Sequence, residues 1–143
     1  MITDTLSPEN LLKIGEVASV SGIPIKTIRY YDDLGLLGNS ITRNQAGYRL
    51  FDSSIFNRLS FIKRSQSLGL SLKEIENILS IYDKGEIPCG VAKDVLLERL
   101  DNIEQQIEQL QILQTELKAI LSGWKFADKL DGSICPNIQP PIN

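Results

Sequence analysis

Near the C-terminus, apolar residues recur at alternating steps of four and three: Leu96, Leu100, Ile103, Ile107, Leu110, Gln114, Leu117 and Leu121. That spacing keeps side chains on one stripe of a helix, and a repeat averaging 3.5 residues is the seam of a coiled coil. The seam runs through nearly four repeats with one polar break, at Gln114. Alone in water, such a helix leaves its stripe exposed. At about 25 cal/mol per Å² buried, its Leu and Ile side chains are worth on the order of 10 kcal/mol or more, enough to hold two chains together. The pattern therefore predicts a homodimer joined along a helix from about Val91 to Leu121. The seam alone leaves parallel and antiparallel pairings open.

A chain of 143 residues buries one core but hardly two, so a small domain followed by this rod is the expected organisation. The domain's most informative stretch is Ile14 to Leu37, IGEVASVSGIPIKTIRYYDDLGLL. It joins two short helical patterns. Gly22 can take the left-handed backbone that ends a first helix (Gly15 to Ser21), Pro24 suits the first turn of a second, and Asp33 with Gly35 closes it. This is a helix-turn-helix. On the second helix Ile25, Ile28 and Leu36 belong to the inward side, whereas Lys26, Thr27, Arg29 and Tyr30 have access to the outside. These side chains suit a DNA duplex: Arg29 can grip a guanine edge with two hydrogen bonds, Thr27 and Tyr30 or Tyr31 can reach phosphate oxygens, and Lys26 adds a mobile charge. The plainer alternative is a solvated cationic face with Tyr stems packed beneath it.

Beyond this helix, LGNSITRNQAGYRLF clusters Gly, Asn and Ser between apolar ends and reads as a hairpin, with strands around Leu36–Leu37 and Tyr48–Phe51. Such a wing would let Arg43, Tyr48 and Arg49 clasp the DNA backbone beside the groove. Asp52 is placed to cap a helix running to about Leu68, with Ile55, Leu59, Ile62 and Phe56 inward and Arg58, Lys63 and Arg64 outward, Arg64 being a further phosphate contact. Ser71 with Glu74 forms a capping box for the next helix, whose stripe is Leu72, Ile75, Ile78, Leu79 and Tyr82. The expected division is a DNA-binding domain with connecting helices over 11–82, a hinge over 83–90, a dimerisation helix over 91–122, and an effector-binding loop and tail over 123–143.

The net charge of −3 is unevenly spread. Residues 10–70 hold eight Lys or Arg against four Asp or Glu, and residues 71–143 hold seven against twelve. The basic part is the part with the helix-turn-helix, so a positive face steers toward phosphates while the acidic remainder limits indiscriminate sticking. No apolar run approaches the roughly 20 residues that span a bilayer, and MITDTLSPEN lacks a charged-then-apolar signal pattern. The expectation is a cytoplasmic protein without a membrane partner, with residues 1–10 frayed. An enzyme is disfavoured: the chain has no His, and its two cysteines, Cys89 and Cys135, lie far apart in sequence.

The residues of the N-terminal half resemble one family closely. Ile14 to Ala18, Thr27 to Tyr31, Gly35 to Leu37, Arg43, and Gly47 to Arg49 match, in order, the Ile-Gly-Glu-hydrophobic-Ala, Thr-Ile-Arg-Tyr-Tyr, Gly-Leu-Leu, Arg and Gly-Tyr-Arg pattern of MerR-type transcriptional regulators. The resemblance runs from about Ile14 to Ile120. It implies a mainly α fold: a winged helix-turn-helix with a small β-hairpin wing, then a long dimerisation helix in an antiparallel coiled coil. It also implies a dimer on an inverted-repeat promoter operator, working with RNA polymerase by distorting an overlong spacer.

The cysteines carry the effector reading. Cys89 stands at the head of the long helix, where free amides and the helix dipole favour a thiolate, the ligand form for soft metals. Cys135 lies in the tail, in Asp-Gly-Ser-Ile-Cys-Pro. The antiparallel pairing that the resemblance implies brings Cys135 of one chain toward Cys89 of the other, giving two two-thiolate sites per dimer. This is similar to the family's mercury-sensing branch, although those sensors usually carry a further loop Cys that this chain lacks. Tetrahedral zinc would want more Cys or His ligands. The family's copper(I) sensors keep both cysteines in the loop, unlike Cys89. The metal reading is therefore a low-coordinate soft ion, mercury(II) first, with Asp128 or Asp131 as weak extra ligands. The alternatives are thiol redox sensing through the same pair, and an organic ligand held by Trp124 and Phe126, aromatics that otherwise pack against the hinge.

Overall fold

The computed structural model describes residues 10–128 and 132–139. The expectation for residues 1–9 and the suggested ligand Asp131 lie outside the described residues. The elements run β1 (Leu12–Lys13), α1 (Ile14–Ser21), α2 (Ile25–Asp33), a 3₁₀ turn (Gly38–Ser40), β2 (Ile41–Arg43), β3 (Arg49–Phe51), α3 (Ser54–Ser67), α4 (Leu72–Asp83) and α5 (Cys89–Ser122). The chain divides into two compact units, Met1–Arg99 and Leu100–Asn143.

The first unit is a winged helix-turn-helix. Gly22 ends α1 at φ 74°, donating its N–H to the Ala18 carbonyl at 2.9 Å, so the chain turns within three residues into α2. The wing differs from the expected hairpin. Its strands are β2 and β3, paired antiparallel with Ile41 opposite Phe51, and β1 adds on the other side of β3 with Leu12 opposite the same Phe51. Leu36 and Leu37 are not strand residues; both are buried in the core. Their leucine side chains are worth more in that core than as a half-exposed edge, and the chain reaches the sheet only after the turn at Gly38. The core itself gathers Val17, Ile28, Leu36, Leu37, Phe51, Ile55, Leu59, Ile62, Ile75 and Ile78 from α1, α2, the segment after α2, β3, α3 and α4.

Asp52 accepts the Ser54 amide at 2.8 Å, one residue ahead of Ser53, the N-cap of α3. The box at the head of α4 is also present: the Ser71 hydroxyl accepts Glu74 N–H at 3.1 Å, and Glu74 Oε1 accepts Ser71 N–H at 2.8 Å. That backbone hydrogen bond holds the Glu74 carboxyl below its ordinary pKa. Two expectations about which way a side chain faces fail in opposite senses. Tyr82 is 55% exposed rather than part of the α4 stripe. Arg58 is 8% exposed rather than outward. Its Nε donates to the Leu36 carbonyl at 2.5 Å, and Nη1 and Nη2 donate to the two Asp83 oxygens at 2.6 and 2.8 Å. A Cβ on Gly38 would lie 2.7 Å from Arg58 Nη2, so the guanidinium occupies space that only glycine leaves open. Asp83 is thus the last, anchored residue of α4 and not hinge; the linker between α4 and α5 narrows to residues 84–88.

The helix α5 is 34 residues long and buries none of them fully. Ala92 and Val95 pack against the core of the first unit, and Arg99 Nη2 reaches Glu74 Oε1 at 3.5 Å. Further along, the apolar seam residues Leu100, Ile103, Ile107, Leu110, Leu117 and Leu121 are all exposed, as is Leu96 before them. Among the described residues no helix is long and apolar enough to cross a membrane.

Candidate functional site

Lys26 and Arg29 project from α2 into solvent and make no ion pair among the described residues, Tyr30 is 51% exposed, and Thr27 is half-buried. These four keep the outward placement expected of them. Tyr31 does not. It follows Ile28 by three residues and therefore shares its inward face; its ring is buried and its hydroxyl donates to Gln66 Oε1 at 2.6 Å, tying α2 to α3. Burial raises the pKa of that phenol. Tyr31 positions the recognition helix and has no hydroxyl left for a phosphate.

Arg49 is also engaged internally. Its Nε donates to Asp32 Oδ2 at 2.6 Å and its Nη2 to Asp33 Oδ1 at 3.3 Å, so β3 is strapped to the C-terminal end of α2. Arg43 joins from β2, with Nη2 3.8 Å from Asp32 and Nη1 donating to the Gly47 carbonyl at 3.0 Å. Two aspartates thus offset the wing's two arginines and fix the wing against the recognition helix, leaving Arg29 and Lys26 as the unpaired cations of α2. At the wing tip Asn44 Oδ1 accepts the amides of Ala46 and Tyr48, both at 3.0 Å, and Tyr48 stands 70% exposed. Asn44 escaped the sequence reading, although an Asn three residues before a Gly is the composition of a side-chain-closed turn.

Arg29, Tyr48 and Arg49 come together with Lys13 and Asn44 around one cleft of about 880 Å³ between α2 and the wing. Lys13 was missed because nothing in its surroundings marks a two-residue strand. Arg64 lies elsewhere, exposed on α3 with Nη1 3.4 Å from Ser67 Oγ. An open cleft walled by a cationic helix face, an exposed tyrosine and a rigid hairpin suits a phosphodiester backbone beside a groove occupied by α2.

Comparison with known proteins agrees with this geometry. Residues 12–81 match the MerR HTH family regulatory protein model, and residues 56–120 match the MerR DNA-binding model. The chain is 37% identical over 127 residues to the mercuric resistance operon regulatory protein of Bacillus cereus, covering 89% of this chain and 94% of that one. This chain belongs to the MerR family of transcriptional regulators. Among solved structures, the MerR regulator of Bacillus megaterium in complex with mercury(II) is 31% identical, with a TM-score of 0.59, covering 89% of this chain and 96% of the other. The regulator PbrR691 of Ralstonia metallidurans in complex with lead(II) is 26% identical, with a TM-score of 0.71, covering 81% and 90%. These MerR-family proteins are transcriptional regulators, not enzymes.

Of the cysteines, Cys89 is exposed as the first residue of α5, and Cys135 is half-buried in the tail; both are free thiols. Among the described residues no three His, Cys, Asp or Glu side chains are placed to hold a metal ion, Asp128 included. A pair of thiolates is a donor set for a soft ion of low coordination, whereas tetrahedral zinc takes four ligands. The two tail aromatics differ: Trp124 is half-buried, and Phe126 is 93% exposed.

Proposed function

We propose that this MerR-family chain acts as a homodimer that binds an inverted-repeat promoter operator and changes transcription when a soft metal ion, mercury(II) first, binds Cys89 of one protomer and Cys135 of the partner subunit. The observation that carries the effector half is the exposed Cys89 thiol at the first position of a helix whose whole seam awaits a partner. The 37% identity to a regulator named for mercuric resistance supports the choice of ion. Antiparallel pairing of the two α5 seams sets the start of one helix near the end of the other, which is how the two thiols would meet.

In this reading the functional parts are a DNA-binding domain over 11–82, a linking segment within 83–90, a dimerisation helix over 91–122 and an effector tail over 123–143. Lys26, Thr27, Arg29 and Tyr30 enter or flank the major groove; Arg43, Tyr48 and Arg64 follow phosphates, while Arg49 and Tyr31 hold those elements in place. Double-stranded DNA, a second copy and RNA polymerase at the promoter are the partners. Bending a site of 20–30 base pairs costs about 1–6 kcal/mol, so the ion need only bind one dimer shape better than the other by a difference of that size. Cys89 of one protomer and Cys135 of the partner subunit would hold the ion, which would supply the affinity of a soft cation for thiolates; the protein's share would be to present the two sulfurs and to turn their joining into a dimer shape.

Replacing Cys89 by Ser should abolish the thiolate-to-mercury absorbance band and the mercury-dependent transcription, and leave metal-free operator binding as it was. Titration of reduced protein with mercury(II) chloride, followed in the ultraviolet, is the measurement. A band of unchanged size in Cys89→Ser would end the metal reading and leave the dimeric DNA-binding reading standing.

A further inference from the structure

The tail after α5 carries a set of hydrogen bonds that no regular element explains. The Asn137 carboxamide makes two of them to one residue: its Oδ1 accepts Lys125 N–H at 3.0 Å, and its Nδ2 donates to the Lys125 carbonyl at 2.7 Å. This is the two-bond pairing that neighbouring antiparallel strands make, here offered by a side chain. Lys125 lies three residues past the end of α5 at Ser122, so the carboxamide ties the tail back to the exit of the helix. Gln139 supplies a second tie. Its Oε1 accepts the amides of Ile134 and of Cys135, the latter at 3.1 Å, while its own N–H and that of Ile138 donate to the Cys135 carbonyl at 3.0 and 3.1 Å.

The consequence falls on Cys135. Both of its backbone polar groups are committed, its carbonyl twice, in a segment whose two isoleucines, Ile134 and Ile138, are exposed. Ile134 is 95% exposed, so hydrophobic burial does not hold this turn together. Exposed tails of this kind stay unordered unless something ties them, because each fixed residue costs about 1–2 kcal/mol of backbone entropy. The Asn137 carboxamide, bonded to the Lys125 backbone, and Gln139 Oε1, bonded to the amides of Ile134 and Cys135, do that tying. Binding an ion to a thiol already held in place avoids ordering the tail at the moment of binding, and affinity gains by the amount avoided.

We propose that Asn137 and Gln139 are positioning residues of the effector site: they preset the Cys135 thiol for the soft ion and thereby set the affinity of the site without touching the metal. This rests on the reading of Cys135 as a ligand. It predicts that Asn137→Ala and Gln139→Ala each weaken mercury(II) binding by about 10- to 100-fold, the range for residues that orient metal ligands. The band at saturation keeps its size, because both thiolates remain. Asn137→Asp, which keeps the acceptor for Lys125 N–H and loses the donor, should fall between Ala and the natural residue.

The test uses the full-length reduced dimer, mercury(II) chloride and dithiothreitol as competitor, followed by the ultraviolet band, with amide hydrogen exchange of the metal-free protein as an independent readout. In Asn137→Ala the Lys125 amide should exchange at least tenfold faster before any metal is added. Unchanged exchange at Lys125, or unchanged mercury affinity in both alanine variants, would overturn the proposal. Cys135→Ser separates the two readings. If that variant binds mercury as the natural chain does, the ligand reading itself is wrong; if it loses binding while the alanine variants keep it, only the positioning role is wrong.

Discussion

Asp83→Asn should destabilise the metal-free protein by about 3–5 kcal/mol, and Arg58→Met by roughly 3 kcal/mol, at the lower end of what breaking a buried ion pair costs. The order follows from the unequal burial of the two partners, since the Arg58 side chain is 8% exposed and that of Asp83 33%. Removing the aspartate's charge strands a guanidinium in the core, where water cannot reach it. Removing the arginine strands a carboxylate that water already touches, together with the Leu36 carbonyl that loses its donor. Thermal or urea unfolding of both variants, and of the double variant, gives the coupling. Equal small losses, under about 0.5 kcal/mol, would mean that the pair carries no more than a surface salt bridge does. Arg58→Lys should recover little, because one ammonium cannot serve two carboxylate oxygens and a carbonyl in the same plane.

The same pair makes stability depend on acid. The Arg58 guanidinium hydrogen-bonded to Asp83 holds that carboxyl below the ordinary aspartate value, with burial opposing. A depressed folded pKa means that the native state releases the proton more readily than the unfolded chain does. The contribution is therefore complete above the unfolded value of about 3.9 and is lost as pH falls through the lower folded value. Unfolding free energy of the natural protein should drop through that acid window more steeply than that of Arg58→Met, in which the lowered pKa has lost its cause. Parallel pH profiles would contradict the assignment.

That Arg58 became a core residue shows where sequence reasoning ran out. Periodicity correctly gave the inward faces of α2, α3 and α4 through Ile28, Ile55, Leu59, Ile62, Ile75 and Ile78, because hydrophobic burial has a period and leaves it in the sequence. The Asp52 bond to the Ser54 amide and the box of Ser71 with Glu74 were legible for a similar reason: their partners lie within three residues. Arg58, by contrast, is adjacent to the inward Leu59 on the helix and is buried only because Asp83, 25 residues away, and the Leu36 carbonyl, 22 residues away, converge on it. Arg49 and the Leu12–Lys13 strand are of the same kind: each is settled by a distant partner, Asp32 or Phe51, that no local pattern announces. At the candidate site this sorts the residues usefully. Lys26 and Arg29, which make no ion pair among the described residues, are among those that local pattern placed outward.

Arg29→Ala should therefore abolish preferential binding to the operator while leaving the fold intact, because an exposed guanidinium without an ion pair contributes little to stability. A bidentate contact to guanine is worth about 1–3 kcal/mol per half-site, so two half-sites lose about 2–6 kcal/mol, roughly 30-fold to 10,000-fold in affinity. Binding to random DNA should weaken far less, so the ratio between operator and random sequence collapses. Lys26→Ala gives the contrasting pattern: both affinities fall together, and the dependence on salt becomes shallower by about one counterion per protomer. Arg49→Ala should differ from both, since it frees β3 from Asp32 and Asp33 and lets the wing move; affinity would drop, with less change in which bases are preferred. Gel shifts of the three variants on a selected inverted repeat and on random duplex, at two salt concentrations, separate base contact, phosphate contact and wing support. Should Arg29→Ala keep the full preference for the operator, α2 does not read bases through this arginine, and the placement of its outer face in the major groove has to be abandoned.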